Sequence, residues 1–242
     1  MKARRLLPPA ILALLLAPVA ARAEGLAGRF SIAVQAGTQS EIAGDIIASA
    51  QGTLVGKPTS FVSKRYRDVY RPALRLQGLL AYGVAAKLEL FVRGSYYKAK
   101  QAGVEAGSFD GHAMFAFFDR YREIGGELGL RYYIAPRGRL KSYLGPVVGL
   151  RHVDEVLVSL SIPDAGTAVL NVPFSKGGSA AVFGADLGFS FDLSPNVYLG
   201  VDTGLRYQQA PESFGSLPEL GGFPAPAGRW TAPVTATLGV RF

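Results

Sequence analysis

The chain of 242 residues contains no cysteine, two histidines, two methionines and one tryptophan. Without cysteine there can be no disulfide framework, thiolate metal site or cysteine nucleophile. A lipoprotein anchor is excluded as well, because no cysteine can carry the lipid. Beyond the first 23 residues no stretch approaches the ~20 apolar residues that a membrane-spanning helix needs. Basic residues are scattered and form no stripe on a recognisable module, so no nucleic-acid partner is expected. No cofactor or metal is expected either.

What is present begins with an address. Lys2, Arg4 and Arg5 precede the apolar run Ile11 to Leu16, and Ala21-Arg22-Ala23 supplies a small-x-small cleavage site. This three-part pattern is a secretory signal peptide over residues 1–23, which leaves 24–242 as one domain. Pro8, Pro9 and Pro18 interrupt the run, which is too short to anchor in ~30 Å of hydrocarbon. Removing the segment takes away four basic residues and lowers the formal charge from +8 to +4. The high pI is therefore partly an effect of targeting.

The remaining sequence alternates with a period of two in segments of ten or more residues, which places one strand face in an apolar medium and the other in a polar one. In 180–192, Ala181, Phe183, Ala185, Leu187, Phe189 and Phe191 share a face opposite Gly184, Asp186, Ser190 and Asp192. The same pattern predicts strands at 29–37, 69–82, 87–99, 120–134, 139–153, 197–208 and 229–242, eight in all. Short connections at 83–86, 135–138 and 193–196 alternate strictly with long ones at 38–68, 100–119, 154–179 and 209–228. That is the pattern of an all-β, antiparallel, up-and-down transmembrane barrel with short periplasmic turns and four long extracellular loops. Localisation to the outer membrane follows from export plus this pattern.

Tyrosines fall at two levels, with Tyr82, Tyr132, Tyr133, Tyr143 and Tyr198 near the short turns and Tyr70, Tyr96, Tyr97, Tyr121 and Tyr207 near the long loops. Two interfacial girdles are expected. Pro146 and Pro233 fall inside predicted strands, where each removes a ladder donor, so a bulge or pairing gap is expected at both. The runs 156–162 and 168–174 predict a hairpin protruding above the membrane; a ten-stranded barrel is the alternative.

The polar faces carry Arg75, Gln77, Glu89, Arg93, Glu123, Glu127, Arg131, Lys141, Arg151, Asp186, Asp192, Asp202, Arg206 and Arg241. An eight-stranded barrel is only wide enough for side chains to fill, so these charges are expected to pair as an interior network. A narrow, porin-like ion path is the alternative. Catalysis finds little support. His152, Asp154 and Ser159 do not share one strand parity, and Glu123 and Glu127 stand ~13 Å apart along a strand, beyond the ~5 to 9.5 Å of paired glycosidase carboxylates. Outer-membrane lipid A deacylases use His-x-Ser, whereas Val153 and Asp154 follow His152. Loop residues Met114, Phe115, Phe117 and Phe118, with Phe214, Leu217, Leu220 and Phe223, are apolar for loops and suit packing above the mouth, or contact with lipopolysaccharide or another partner.

The run Leu79-Leu80-Ala81-Tyr82-Gly83-Val84, then Leu88-Glu89-Leu90-Phe91-Val92-Arg93-Gly94 and Gly129-Leu130-Arg131-Tyr132-Tyr133, resembles the small Gram-negative outer-membrane β-barrel domain proteins of the OmpA type. The ending Gly239-Val240-Arg241-Phe242 is similar to the C-terminal signal that this class presents to the barrel-assembly machinery. Trp230, Val240 and Phe242 are its expected carriers. The resemblance implies an integral barrel among outer-membrane lipids, and no catalytic or ligand residues carry over from it; an envelope-structural or surface-interaction role without catalysis is the first expectation, and a lipid-modifying enzyme the last. No peptidoglycan-binding domain follows the barrel, so wall tethering is not implied.

Overall fold

The computed structural model describes residues 25–242 apart from 55, 73, 135–137 and 211–225. The signal segment lies outside the described residues, as do Phe214, Leu217, Leu220 and Phe223. Seventeen strands are present among those described. β1 (Phe30–Ala43), β2 (Asp45–Ile47), β3 (Ala50–Leu54), β4 (Lys57–Phe61) and β5 (Lys64–Arg65) precede a single helical turn, α1 (Tyr66–Val69). β6 (Tyr70–Arg71), β7 (Leu74–Ala85), β8 (Leu88–Gln101), β9 (Gly103–Phe109), β10 (His112–Phe118) and β11 (Tyr121–Tyr133) follow. The chain continues through β12 (Leu140–Val153), β13 (Val156–Ile162), β14 (Thr167–Ser175), β15 (Gly178–Asp192), β16 (Val197–Gln208) and β17 (Arg229–Arg241).

Eight long strands, β1, β7, β8, β11, β12, β15, β16 and β17, pair antiparallel with their sequence neighbours, and β17 returns to β1 to close the barrel. Closure leaves no sheet edge exposed to lipid, the condition for crossing a bilayer with strands. Outward positions such as Val34, Leu80, Val92, Leu128, Leu144, Phe189, Val201 and Leu238 are apolar and exposed. Inward positions on the same strands are buried and mostly polar. Exposed apolar side chains recur on every barrel strand, which a soluble monomer does not normally show.

Both prolines break one ladder and keep the other. Pro146 pairs with Ala185 on β15, while the β11–β12 ladder skips from Gly129↔Val147 to Tyr132↔Leu144. Pro233 pairs with Gln39 on β1, while the β16–β17 ladder skips from Thr203↔Val234 to Arg206↔Thr231. The Thr203 hydroxyl spans the second gap by donating to the Pro233 carbonyl at 3.0 Å. The register is the same on either side of each gap.

Three of the long connections are folded β-structure rather than loops. Hairpins β3–β4, β9–β10 and β13–β14 join through β4–β9 and β10–β13 into one six-stranded sheet above the barrel. Because β13 and β14 pair within this sheet and not within the wall, the barrel has eight strands and not ten. Beneath the sheet lies an apolar core that includes Ile47, Val69, Ala106, Met114, Phe118, Val153, Val158 and Leu160.

The tyrosines divide by parity. Tyr82, Tyr132 and Tyr96 face outward, joined by Phe30 and Phe191 at the lower level and by Trp230 at the upper, where the Tyr207 ring lies tilted against it with centroids 5.2 Å apart. Tyr133, Tyr143 and Tyr198 point into the lower end of the barrel, and Tyr70, Tyr97 and Tyr121 into the upper core. The expected girdles therefore contain fewer tyrosines than the spacing along the chain suggested. Adjacent strand residues face opposite ways, so Tyr132 and Tyr133 could not both face lipid.

Candidate functional site

The interior is built around Glu127 on β11, where arginines from four other strands converge. Arg93 Nε donates to it at 3.1 Å, Arg151 Nη2 at 2.9 Å, Arg75 Nη2 at 3.4 Å and Arg206 Nη2 at 3.5 Å. Glu127 and Arg93 are direct register partners across β8 and β11. Asp186 on β15 receives Arg93 Nη2 at 3.0 Å and also pairs with Arg206. Arg206 lies against the wall because its register partner is Gly184, where a Cβ would come within 2.8 Å of the arginine Cδ.

Arg151 links this knot to the next one up by donating through Nη1 to Glu123 at 3.0 Å. Glu123 also accepts from Arg229 Nη2 at 2.6 Å, and Arg229 Nη1 reaches Glu41 at 2.9 Å. Below the knot, Arg131 donates to Glu89 at 3.2 Å and Asp202 at 3.1 Å, with its guanidinium between the rings of Phe91 and Tyr143. Asp202 also accepts from Gln35 Nε2 at 2.7 Å, from Thr237 and from the Tyr143 hydroxyl. Lowest of all, Asp192 holds Arg241 and Lys141, and Arg241 rests 4.0 Å from the Tyr198 ring centroid.

All twelve sequence-selected interior charges, Arg75, Glu89, Arg93, Glu123, Glu127, Arg131, Lys141, Arg151, Asp186, Asp202, Arg206 and Arg241, are buried. Each lies within ion-pair distance of an opposite charge. With Glu41, Asp192 and Arg229 the described network has eight basic and seven acidic groups, so nearly every charge can be neutralised in place. That matters because an unpaired ion so deeply buried costs several kcal/mol. Glu41 falls outside the strand predicted at 29–37, and Arg229 is the first residue of the strand predicted at 229–242 but not among the charges assigned to its inner face. The alternation Gln35, Gln39, Glu41 continues the inward parity, and Arg229 shares that of Thr231 and Thr235.

Both ends of the interior are stoppered. At the short-turn end Leu26 packs with Tyr133 and Tyr143, whose ring centroids are 5.3 Å apart. At the other end Tyr66, Tyr70, Tyr97 and Tyr121 pack edge-on or tilted beneath the six-stranded sheet. Met114 and Phe118 are buried in that upper core, while Phe117 is exposed.

The residues that could have formed a catalytic triad do not converge. His152 is exposed on the outer face of β12, Asp154 lies near Arg122, and the Ser159 hydroxyl accepts the Asn171 N–H at 3.1 Å. His112 is exposed on β10 beside Asp164. Glu123 and Glu127 are joined by Arg151 and face no open space. No metal-ligating cluster occurs among the described residues.

Trp230 is exposed at the upper girdle, and Val240 pairs with Ile32 of β1 and Val197 of β16. The Phe242 N–H donates to the Phe30 carbonyl at 2.8 Å, and the Phe30 N–H to the Phe242 carbonyl at 3.3 Å. The last residue thus helps close the seam between the first strand and the last.

A closed wall, apolar outside and ion-paired inside, with short turns at one end and folded connections at the other, defines a transmembrane β-barrel of the outer-membrane type. No family model matches the chain, and no curated protein matches it by sequence. Among solved structures, Neisserial surface protein A is 17% identical, covering 90% of this chain and 100% of that one with a TM-score of 0.44. OprG of Pseudomonas aeruginosa is 14% identical over 90% and 97%, TM-score 0.44. AlkL is 17% identical over 92% and 93%, TM-score 0.42. These are similarities in strand arrangement alone.

Proposed function

We propose that this protein is an integral outer-membrane barrel with a closed lumen, which holds a rigid β-sheet platform at the cell surface for an envelope-structural or surface-interaction role. The observation that carries this reading is the filling of the lumen at three successive levels. Aromatic side chains stopper the short-turn end, the ion-paired knot around Glu127 fills the middle, and the apolar core under the six-stranded sheet covers the mouth. A solute would have to displace buried ion pairs to pass, and breaking such a pair costs about 3 to 5 kcal/mol.

The platform displays Val62, Phe117, Val169 and Leu170, which suits contact with lipopolysaccharide or another surface molecule. A catalytic role is not assigned, since the histidines, Asp154 and Ser159 are dispersed. The barrel-assembly machinery is the partner proposed for the C-terminal strand through Trp230, Val240 and Phe242. Liposome swelling tests the closed lumen: vesicles carrying the refolded protein should take up small sugars no faster than empty ones. Rapid swelling would favour the narrow-channel reading.

A further inference from the structure

The outward face of β8 changes character abruptly. Leu90, Val92, Gly94 and Tyr96 are followed by exposed Lys98 and Lys100. On the neighbouring strand, exposed Arg122 stands above Ile124, and exposed Arg120 comes just before β11. The register sets Arg122 directly opposite Lys98, and Arg71 of β6 directly opposite Lys100. The β8–β11 pairing Tyr121↔Ala99 also leaves Arg120 one step away, beside Lys100. Five cations therefore sit together on the outside of the wall.

Like charges directly opposite one another on antiparallel strands repel and destabilise the pairing. The protein supplies little to offset this. Arg122 Nε lies 3.8 Å from Asp154, and among the described residues no carboxylate oxygen comes within 4.0 Å of a side-chain nitrogen of Arg71, Lys98, Lys100 or Arg120. An external anion would complete the arrangement. Lys98, Ala99, Lys100, Gln101 and Arg120 line an open cleft of ≈ 380 Å³, within the range of small-ligand sites.

Height and direction indicate where the anion comes from. The β8–β11 ladder runs ten residues from Leu88↔Tyr132 to Lys98↔Arg122. At ~3.3 Å per residue and a tilt of about 40° that is roughly 25 Å, the height of a barrel's apolar band. The cations stand at headgroup level just above Tyr96, and they face the bilayer instead of the lumen. We propose that this cluster binds the phosphoryl group of a phosphorylated lipid in the outward leaflet, whose acyl chains lie along Leu76, Val92 and Ile124. The site rests on the membrane-embedded reading above.

The test uses the full mature chain refolded into phosphatidylcholine vesicles, with co-flotation and heat-modifiable migration reporting insertion. Retention of three probes is then measured by native mass spectrometry: bisphosphorylated lipid A, the same lipid dephosphorylated, and inorganic phosphate. The expected result is about 10-fold or greater preference for the phosphorylated lipid, as clustered cations near an anionic headgroup produce. The preference should vanish in a Lys98→Ser, Lys100→Ser, Arg120→Ser variant and persist in Lys57→Ser. Equal retention of both lipids by the unaltered chain, or an unchanged preference in an inserted triple variant, would overturn the proposal. Displacement of the lipid by equimolar inorganic phosphate would assign the site to a free anion instead. Failure of the embedded reading would show separately, as a chain that does not float with the vesicles.

Discussion

The guanidinium of Arg229 lies over the ring of Tyr121, its central carbon 4.4 Å from the ring centroid, while Nη2 donates to the Tyr121 hydroxyl at 2.8 Å. This pair joins two cores of opposite character. Below it are Glu123 and the ion-paired interior; above it are Tyr66, Tyr70 and the apolar mass under the sheet. A cation over an aromatic face remains favourable where water is excluded, so arginine and tyrosine can share the boundary.

Replacing Arg229 by Ala should consequently weaken both cores at once. Glu41 would lose its 2.9 Å ion pair, while Glu123 would lose the 2.6 Å contact and keep Arg151, and leaving a buried carboxylate unpaired costs about 3 to 5 kcal/mol. Urea unfolding in detergent micelles, followed by heat-modifiable migration, should show a loss of this size. Arg229→Lys, which keeps the charge but loses the planar stacking, should recover only part of it.

Glu127→Gln preserves shape while leaving four arginines around an uncharged side chain. The expected loss is again about 3 to 5 kcal/mol, with the barrel retained in mild detergent. A double-mutant cycle with Arg93→Met should show strong coupling, because these two residues are register partners. Additive effects would mean that the contact contributes little.

The upper core predicts a pH window. Burial pushes the Tyr66 phenol up to about 12, and it pushes Tyr70 up as well. In the unfolded chain tyrosine ionises near 10. The folded form therefore holds its proton more tightly, so the stability from these groups is complete below pH 10 and is lost as pH rises toward 12. Absorbance at 295 nm should show a late-titrating tyrosine class in the native protein that moves to about 10 in urea. A single transition near 10 in the native protein would show that the core is open to solvent.

At the terminal residue the seam contact and the proposed assembly signal can be tested separately. Phe242→Ala leaves the backbone hydrogen bonds to Phe30 in place but removes the aromatic side chain. If the side chain is the assembly signal, outer-membrane yield should fall while purified protein refolds with unchanged stability. Deleting Phe242 should reduce both. Equal yields for the substituted and unaltered chains would count against the signal.

The barrel was legible because a wall between lipid and a filled interior enforces period-2 alternation on every strand. The inward charges were readable for the same reason, down to Arg75 and Arg206. The sheet above the mouth was not. Its pairings β4–β9 and β10–β13 join separate connections, and no single stretch of sequence encodes a partner forty or more residues away. Gly107 interrupts the alternation of β9, where it is buried next to buried Ala106, and β3 is only five residues long. The hairpin β13–β14 is legible in the runs 156–162 and 168–174 because they are adjacent in the chain. Its attachment to β10 depends on Phe115 to Phe118, which had suggested apolar packing but not strand pairing.

The central claim is that the lumen is closed, and single-channel recording in planar bilayers tests it most directly. Insertion of the refolded protein should leave the current at the level of the bare bilayer over a wide range of voltage and salt. Large, long-lived openings that scale with protein concentration would contradict the account, because they require a continuous water path through the arginines that converge on Glu127.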